Sequence, residues 1–437
     1  MIGKPYFGGN RALDDSKNFS RSVKLALCSL TKLLNKILSA TIKKKGVTFL
    51  IIRGARWFDS EKMQFHEGQQ IWIEDGIIKN IGKGFDKPGR EVIDLQRMLV
   101  LPGWIDAHLH LTLTGEADPI SQWQQDGVVI TAIKAVTYLK KHLQAGVTVL
   151  RDLGGDCDIV LELKKAQKAG LVEGPEIYTS GKALTMTGGH IYQISKEVDG
   201  PDIARKGARE ELKKGVDLLK VIATGGILTQ GVKPGSPQLN EDEIRAIVEE
   251  AHKAKRRVSA HVEGKEGIMN ALRAGVDTLE HGIGLDLEAV EMIKNKSVVL
   301  IPTLAAPRLI LRHREELPIE MVKKAEEVVE EHKHSFALAY KKGCKIAVGT
   351  DAGTPFNHHG KYYIELAEML ADGMKIEEVL QVASLNGAVA LGIDDRCGNI
   401  EVGKIANLTI IDDCLDDREW YRNVRMVMYY GKLIRII

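Results

Sequence analysis

Six side chains that can take part in a metal site lie within or at the ends of apolar, strand-like runs of the sequence. They are His108, His110, Lys220, His261, His281 and Asp351. His108 and His110 are two residues apart, so on a strand both project from the same side. Lys220 lies in an apolar run, where an unpaired ammonium is costly to bury. Four imidazoles and a carboxylate suit Zn²⁺ or a similar divalent ion.

Each of these residues also has a purely structural explanation. A single histidine on a strand is usually a core residue, and Asp351 could simply cap the loop that follows it. The metal interpretation rests on the whole set, because the residues occur in order on the first, fourth, fifth, sixth and eighth of the strand-like runs described next.

The elements that must position these side chains are eight apolar runs separated by helical patterns. The runs cover residues 99–110, 147–154, 176–181, 218–225, 257–262, 278–282, 298–303 and 345–353. Eight strand–helix units predict an α/β protein with a (β/α)8 TIM barrel, in which chemistry lies at the C-terminal ends of the strands. A doubly wound sheet is the competing architecture, but no G-x-G-x-x-G follows a strand.

Shorter β patterns occupy both ends of the sequence. They cover residues 47–58, 70–81, 91–95, 400–411 and 424–436. We therefore expect a small β-sandwich domain made from residues 47–103 and 398–437. The barrel is predicted over residues 104–397, and a basic N-terminal extension over residues 1–46.

Composition and charge exclude several classes of protein. The 437 residues are 44% hydrophobic and 27% charged, which is ordinary for a globular protein. The body beyond residue 46 is mildly acidic, so it offers no case for nucleic-acid binding. No apolar run approaches the roughly 20 residues that a membrane span needs. Five scattered cysteines without a C-x-x-C pair indicate free thiols and a cytoplasmic location.

The basic extension carries ten Lys or Arg and only two Asp, a formal charge of +8. Its second part has the spacing of a basic amphipathic helix, with Val23, Leu27, Leu30, Leu34 and Leu38 on one face. Packing of this helix on the body or on a partner subunit is the favoured interpretation. A membrane-surface helix and an export signal are the alternatives.

The site residues resemble those of the amidohydrolase superfamily. The resemblance runs from about residue 47 to residue 436. It is carried by Leu-Pro-Gly-Trp-Ile-Asp-Ala-His-Leu-His at 101–110, by Gly-Thr-Asp-Ala-Gly at 349–353, and by the lysine and two later histidines named above. Segments 383–388 and 398–408 also fit, although Asn407 stands where the family usually has Asp.

The resemblance implies a site with two divalent metal ions, expected to be zinc. His108, His110 and Asp351 would hold the more buried ion, and the other two ligand histidines would hold the second. Lys220 would be carboxylated by CO₂ to form an anionic bridge, because an unmodified ammonium has no lone pair for a metal. A metal-bridged hydroxide would attack the substrate carbonyl, with Asp351 accepting the proton and passing it to the leaving group.

Within the superfamily, the sequence is most similar to the imidazolonepropionase-like group that contains metal-dependent dipeptidases of the Xaa-Pro or Xaa-Arg/Lys type. Segments 187–190, 220–226 and 351–355 carry this similarity. It implies a hydrolase of small-molecule amides, with a dipeptidase or carboxypeptidase-type activity. Hydrolysis of a cyclic amide, lactone or ester is the alternative, but true imidazolonepropionases generally lack the bridging lysine. A non-catalytic barrel is a third interpretation, although such proteins usually lose ligands and none is missing here.

Substrate contacts are less well defined by the sequence. By resemblance, His190 would polarise the substrate carbonyl or contact its carboxylate, and a solvent-exposed loop histidine is the alternative. Tyr192, His358 and His359 are further candidates. Leu239 stands near the position of an aromatic residue that helps hold the substrate carboxylate in prolidase-like members. Lys233, Arg308 or Tyr192 are candidates for the lost contact, while His332 and His334 follow a helical pattern and are not expected to bind metal. Self-association into a homo-oligomer is expected from the resemblance alone.

Overall fold

The computed structural model describes residues 49–85, 90–416 and 419–435. The predicted basic extension and its amphipathic helix therefore lie outside the described residues. None of the helices in the described part of the chain combines the length and the hydropathy needed to span a membrane.

Two sheets are built from strands near both ends of the described chain. One has the strand order β5-β4-β1-β6 and the other the order β19-β18-β17-β7-β2-β3. Their strands are β1 Phe49–Arg53, β2 Arg56–Asp59, β3 Gln64–His66, β4 Gln70–Glu74, β5 Ile77–Gly82, β6 Glu91–Asp94, β7 Met98–Pro102, β17 Leu408–Asp412, β18 Val424–Tyr429 and β19 Lys432–Arg435.

An apolar cluster joins these two sheets. Ile52, Ile71 and Ile73 of the first sheet and Val100 and Ile410 of the second belong to it, and all are buried. Packing of two sheets through inward-facing apolar residues is the arrangement of a β-sandwich. The predicted strand at 400–411 is wrong in its first part, because residues 400–407 form loop and turn around Gly403.

The barrel strands run parallel and are buried almost throughout. They are β8 Trp104–Leu109, β9 Val147–Asp152, β10 Glu176–Thr179, β13 Leu218–Ile222, β14 Arg257–Glu263, β15 Thr278–Ile283 and β16 Val299–Ile301, with the short β11 Leu184–Thr185 and β12 Lys196–Glu197 added beside β13. Such continuous burial is typical of parallel strands that are covered by helices on their outer face. The predicted α/β barrel with a β-sandwich is confirmed.

The eighth predicted strand closes the barrel as an irregular segment. Its backbone bonds on one side to β8, through Ala107 N–H to Val348 O, and on the other to β16, through Ala347 N–H to Leu300 O, each at 2.9 Å. The segment forms only isolated parallel bridges with these two strands, from Ala352 to Leu109 of β8 and from Ile346 to Leu300 of β16. The segment still brings Asp351 to the same end of the barrel as His108.

The first predicted strand, 99–110, is two strands that belong to different sheets. β7 pairs with β17 in the sandwich, whereas β8 pairs with β9 in the barrel. Gly103 lies at the junction, where a Cβ atom would come within 2.4 Å of Thr148 Oγ1. The close approach of backbone to a neighbouring side chain therefore requires glycine at this position.

Helices cover the barrel strands and follow the predicted patterns. They are α1 Pro119–Gln144 with a non-helical Gly127, α2 Cys157–Lys168, α3 Pro201–Lys214, α4 Glu241–Lys253, α5 Lys265–Ala274, α6 Leu287–Asn295, α7 Ala305–Arg312, α8 Ile319–Lys341, α9 Tyr363–Ala371, α10 Ile376–Val382 and α11 Leu385–Leu391. Asn240 and Glu243 form a capping box at the start of α4, which satisfies N–H groups that have no partner within the helix.

Replacement of Gly349 by alanine tests the closure of the barrel. The added Cβ would lie 2.6 Å from the His108 Cβ and 2.4 Å from Ile301 Cγ2, so the closing segment would have to move away from β8. We expect Gly349→Ala to lower the free energy of unfolding by about 1–3 kcal/mol, the usual cost of overpacking. Urea unfolding measures this change, and a variant as stable as the wild type would contradict the close contact.

Candidate metal centre

His108, His110 and Asp351 converge at the C-terminal end of the barrel. One donor atom from each lies within 4.8 Å of the others. His108 Nε2 and His110 Nε2 are 3.3 and 3.2 Å from Asp351 Oδ1, and this buried oxygen has no assigned hydrogen-bond partner among the described residues. Burial would raise the pKa of Asp351, but the two histidines hold it well below its ordinary value. The three side chains therefore present two imidazoles and an ionised carboxylate to one point.

Hydrogen bonds on the far side of each imidazole orient the two histidines. His108 Nδ1 is 2.8 Å from Glu280 Oε2, and His110 Nδ1 is 2.8 Å from Gly154 O. Since both partners are acceptors, Nδ1 donates from each ring. Loss of the proton on Nε2 would then free a lone pair of each imidazole on the side that faces Asp351.

Glu280 is a fully buried carboxylate on β15 that supports this orientation. Besides His108, it accepts hydrogen bonds from Arg151 at 2.8 Å, Ser259 at 2.7 Å and Thr278 at 2.6 Å. Burial alone would raise its pKa, but Arg151 and then His108 lower it, so the carboxylate stays ionised. A carboxylate behind a metal-binding histidine fixes the ring and makes it a better ligand.

A second group of candidate ligands shares the pocket. The ring centroids of His261 and His281 are 4.6 Å apart, and that of His281 is 5.1 Å from His108. His281 Nδ1 is 2.7 Å from Thr303 Oγ1, whereas the buried His261 Nε2 has no hydrogen-bond partner. Lys220 lines the same pocket.

Lys220 is only 2% exposed, and its Nζ has no hydrogen-bond partner among the described residues. Desolvation lowers its pKa to about 8, although Glu280 opposes the shift. Buried polar atoms are normally paired, so unpartnered atoms on Lys220, His261 and Asp351 mark a place built for another group. The nitrogen and oxygen donors in this pocket fit divalent metal ions of the zinc type.

His190 lies beside the second group, in the loop after β11. It is buried, its ring centroid is 4.7 Å from that of His261, and desolvation lowers its pKa to about 3. The Thr229 hydroxyl accepts from Ile191 N–H at 2.7 Å and lies 3.2 Å from His190 Nδ1. With the hydroxyl proton directed at Nδ1, the neutral ring carries its own proton on Nε2.

Gly226 gives His190 its place in the pocket. A Cβ atom on Gly226 would come within 2.6 Å of His190 Nε2, so the imidazole packs directly against the backbone that follows β13. The alternative interpretation of His190 as a loop histidine in solvent is therefore wrong.

The structure does not bring the other predicted substrate residues to this pocket. Tyr192 is 43% exposed, and its neighbour Ile191 lines the wall instead. His359 is buried, stacks on Tyr138 and lies 3.0 Å from His142, with its Nε2 donating to a backbone carbonyl. His358 lies in a separate surface cavity with Lys141.

The residues proposed to replace the missing aromatic contact are also placed elsewhere. Arg308 forms ion pairs with Glu368 and Asp372, and Lys233 is exposed. Leu239 is fully buried in the core. The described residues that line the pocket include no arginine.

Three pocket or supporting residues were not expected from the sequence. Glu263 lines the pocket two positions after His261, and burial followed by the charge of Asp351 raises its pKa to about 8. The two-residue spacing that identified His108 and His110 could have found it. Glu280 could have been found as a charge inside an apolar strand, like Lys220. His332 also lines the wall, whereas the sequence indicated only that it is no metal ligand.

Most of the remaining wall is apolar. Its side chains come from the end of β15 and from the segments after β11, β13 and β16, and include Ile191, Ile227, Leu228, Ile283, Pro307 and Ile310. An apolar wall around a few convergent polar groups is the usual form of a small-molecule site.

Comparison with known proteins shows to which family the chain belongs. A model of the amidohydrolase family matches residues 99–434. The chain belongs to the amidohydrolase family. An ochratoxinase of Aspergillus niger is 30% identical over 398 residues, which cover 82% of this chain and 81% of the relative. An imidazolonepropionase of Clostridium tetani is 23% identical over 402 residues, which cover 81% and 86%.

A solved structure agrees with this amidohydrolase assignment. The crystal structure of a Xaa-Pro dipeptidase with methionine bound in its active site matches with a TM-score of 0.81 at 29% identity, covering 89% of this chain and 100% of that one. The predicted superfamily is therefore confirmed, and the chain is a hydrolase of the class that acts on amide bonds.

Replacement of Glu280 by glutamine tests its support of His108. The amide can donate as well as accept, so it no longer fixes the proton on His108 Nδ1. We expect metal affinity to fall by about 10- to 100-fold, the usual effect of losing such a partner. Competition with a chelator of known affinity measures the change in Glu280→Gln.

The matched control is Glu250→Gln. Glu250 lies on α4 and is also a carboxylate that accepts hydrogen bonds from arginines, Arg205 and Arg209 of α3. It does not line the pocket. Its metal affinity should equal that of the wild type. An equal loss of metal affinity in both variants would show that Glu280 affects metal binding only through the stability of the fold.

Proposed function

We propose that this amidohydrolase is a binuclear metal-dependent enzyme that hydrolyses amide bonds in small molecules, most specifically as a dipeptidase. The observation that carries the proposal is the buried, unpartnered Nζ of Lys220 in one pocket with both groups of candidate ligands. His108, His110 and Asp351 would hold one ion, and His261 and His281 the other.

Carboxylation of Lys220 would convert it into a ligand. Only the neutral amine reacts with CO₂, and its nitrogen forms the new bond to carbon while a proton is released. The lowered pKa of Lys220 makes this neutral form more available near neutral pH. The resulting carbamate carries two oxygens and a negative charge, which suit a bridge between two cations.

The side chains of this site divide the reaction between them. Divalent ions, expected to be zinc, supply Lewis acidity that polarises the carbonyl and activates water. Asp351 is held ionised, so it can accept the proton of the attacking water and return it to the leaving amine. His190 can donate a hydrogen bond from Nε2 to the carbonyl oxygen of the substrate. The apolar wall excludes bulk water, which strengthens these polar contacts.

A dipeptide is the favoured substrate because the solved Xaa-Pro dipeptidase covers 89% of this chain at 29% identity. The name of the ochratoxinase relative points to a small molecule as well. Leu239 does not provide the aromatic contact expected for a prolidase-like enzyme, so the identity of the second amino acid is left open. A cytoplasmic homo-oligomer that binds neither nucleic acid nor membrane is proposed with this function.

Hydrolysis of a cyclic amide, lactone or ester is the second candidate. It is supported by the imidazolonepropionase relative, which covers 81% of this chain. The same carbonyl chemistry would serve either substrate, because specificity lies in the loops around the metal centre.

A substrate panel tests the proposed function. Dipeptides, lactones and hydantoin-type rings are offered to the zinc-loaded enzyme, and we expect turnover of dipeptides. Lys220→Ala should lower that turnover by about a thousand-fold, because metal ions contribute several kcal/mol to such reactions. Lys164→Ala is the matched control, since Lys164 pairs with Asp217 away from the site.

Two outcomes would contradict the proposal. Ring opening without dipeptide hydrolysis would favour the second candidate. Full dipeptide turnover by Lys220→Ala would remove the bridging role of the lysine.

A further inference from the structure

Glu263 is a buried acidic residue of the pocket with no role in the chemistry proposed above. It follows His261 by two residues at the end of β14, and both side chains line the pocket. It is 5% exposed and lines the pocket. Its buried Oε2 accepts no hydrogen bond from the described residues, and its Oε1 lies 3.9 Å from His261 Nε2.

Lys220 is the one lysine or arginine among the described residues that line the pocket, and the carbamate proposed above would remove its positive charge. The charge of Lys324 acts on Glu263, but the Lys324 Nζ donates to Thr229 O at 2.7 Å and pairs with Glu320 at 3.2 Å. The wall contains no arginine among the described residues. Buried polar atoms in proteins are normally paired, but the Oε2 of Glu263 has no partner among the described residues. A partner for Glu263 would therefore come with the substrate.

The distance to the metal centre limits which cation of a dipeptide could reach Glu263. A metal ion lies about 2.0–2.1 Å from a ligating histidine nitrogen. Because Glu263 Oε1 is 3.9 Å from His261 Nε2, it lies at most about 6 Å from an ion bound to that nitrogen. The α-ammonium of a dipeptide is one carbon away from the scissile carbonyl, whereas the ammonium of a lysine side chain lies at the end of a four-carbon stem. The short distance favours the α-ammonium.

We propose that Glu263 binds the α-ammonium group of the substrate, so that the enzyme prefers dipeptides with a free amino terminus to their N-acylated forms. This inference rests on the proposed dipeptidase function and adds a requirement that the metal chemistry does not impose. The carbonyl of an N-acylated dipeptide could reach the metals equally well, but its neutral amide would leave the Glu263 carboxylate unpaired.

Kinetics with a paired set of substrates test this role. The dipeptide that the wild type hydrolyses best is compared with its N-acetyl derivative. We expect kcat/KM of the wild type to favour the free dipeptide by about 30-fold or more, the usual scale for a buried charge pair. In Glu263→Gln this ratio should fall close to one, mainly through a higher KM for the free dipeptide. Glu263→Asp keeps the charge and should retain part of the preference.

The matched control is Glu320→Gln. This exposed carboxylate lies near Lys324 but does not line the pocket, so its removal changes the local charge without removing the proposed contact. The preference for a free amino terminus should stay at the wild-type value. A loss as large as that of Glu263→Gln would overturn the proposal in favour of a general charge effect.

A binding measurement separates substrate recognition from metal binding. Calorimetry compares a phosphinic dipeptide analogue that has a free amine with its N-acetyl form, and we expect Glu263→Gln to weaken only the advantage of the free amine. The metal content of the variant should match that of the wild type. Loss of metal would instead assign Glu263 to the metal centre, and an unchanged preference would also overturn the proposal.

The outcomes distinguish this inference from the proposed function. If the wild type hydrolyses free and N-acetylated dipeptides equally well, the dipeptidase function stands and the role of Glu263 is wrong. If it hydrolyses neither, the dipeptidase function is wrong and the role of Glu263 falls with it.

Discussion

Desolvation of the Lys220 amine governs the chemistry at the mouth of this barrel. The lysine is buried without a hydrogen-bond partner, and burial lowers its pKa to about 8. A group in that position must gain a partner or change its form, because an isolated buried charge is unstable. Carboxylation and metal binding would do both, which links the fold of the barrel to the proposed hydrolysis.

The contacts around this lysine serve to fix ligands rather than to fill space. Glu280 is held by Arg151, Ser259 and Thr278, and it in turn orients His108. Two residues before His108 on β8, Asp106 accepts hydrogen bonds from the Thr350 backbone and hydroxyl, at 2.9 and 2.7 Å, directly before Asp351. Contacts that close the barrel thus lie next to residues of the candidate metal centre.

The sequence predicted the barrel and the set of candidate metal ligands because both depend on local patterns. Apolar runs mark buried parallel strands, and residues two apart share a face. The loops follow no such pattern. His359 was expected near the substrate, but it packs against His142, which lies 217 residues away in the chain. The helical spacing of His332 and His334 correctly predicted that they lie on different faces of one helix. Only the tertiary structure shows that His332 lines the pocket.

Anomalous diffraction from crystals of the zinc-loaded enzyme, grown with bicarbonate, tests the binuclear centre most directly. Two anomalous peaks should appear, one coordinated by His108, His110 and Asp351 and the other by His261 and His281. Electron density should extend beyond Lys220 Nζ and reach both peaks. A single peak beside an unmodified Lys220 would contradict the binuclear centre.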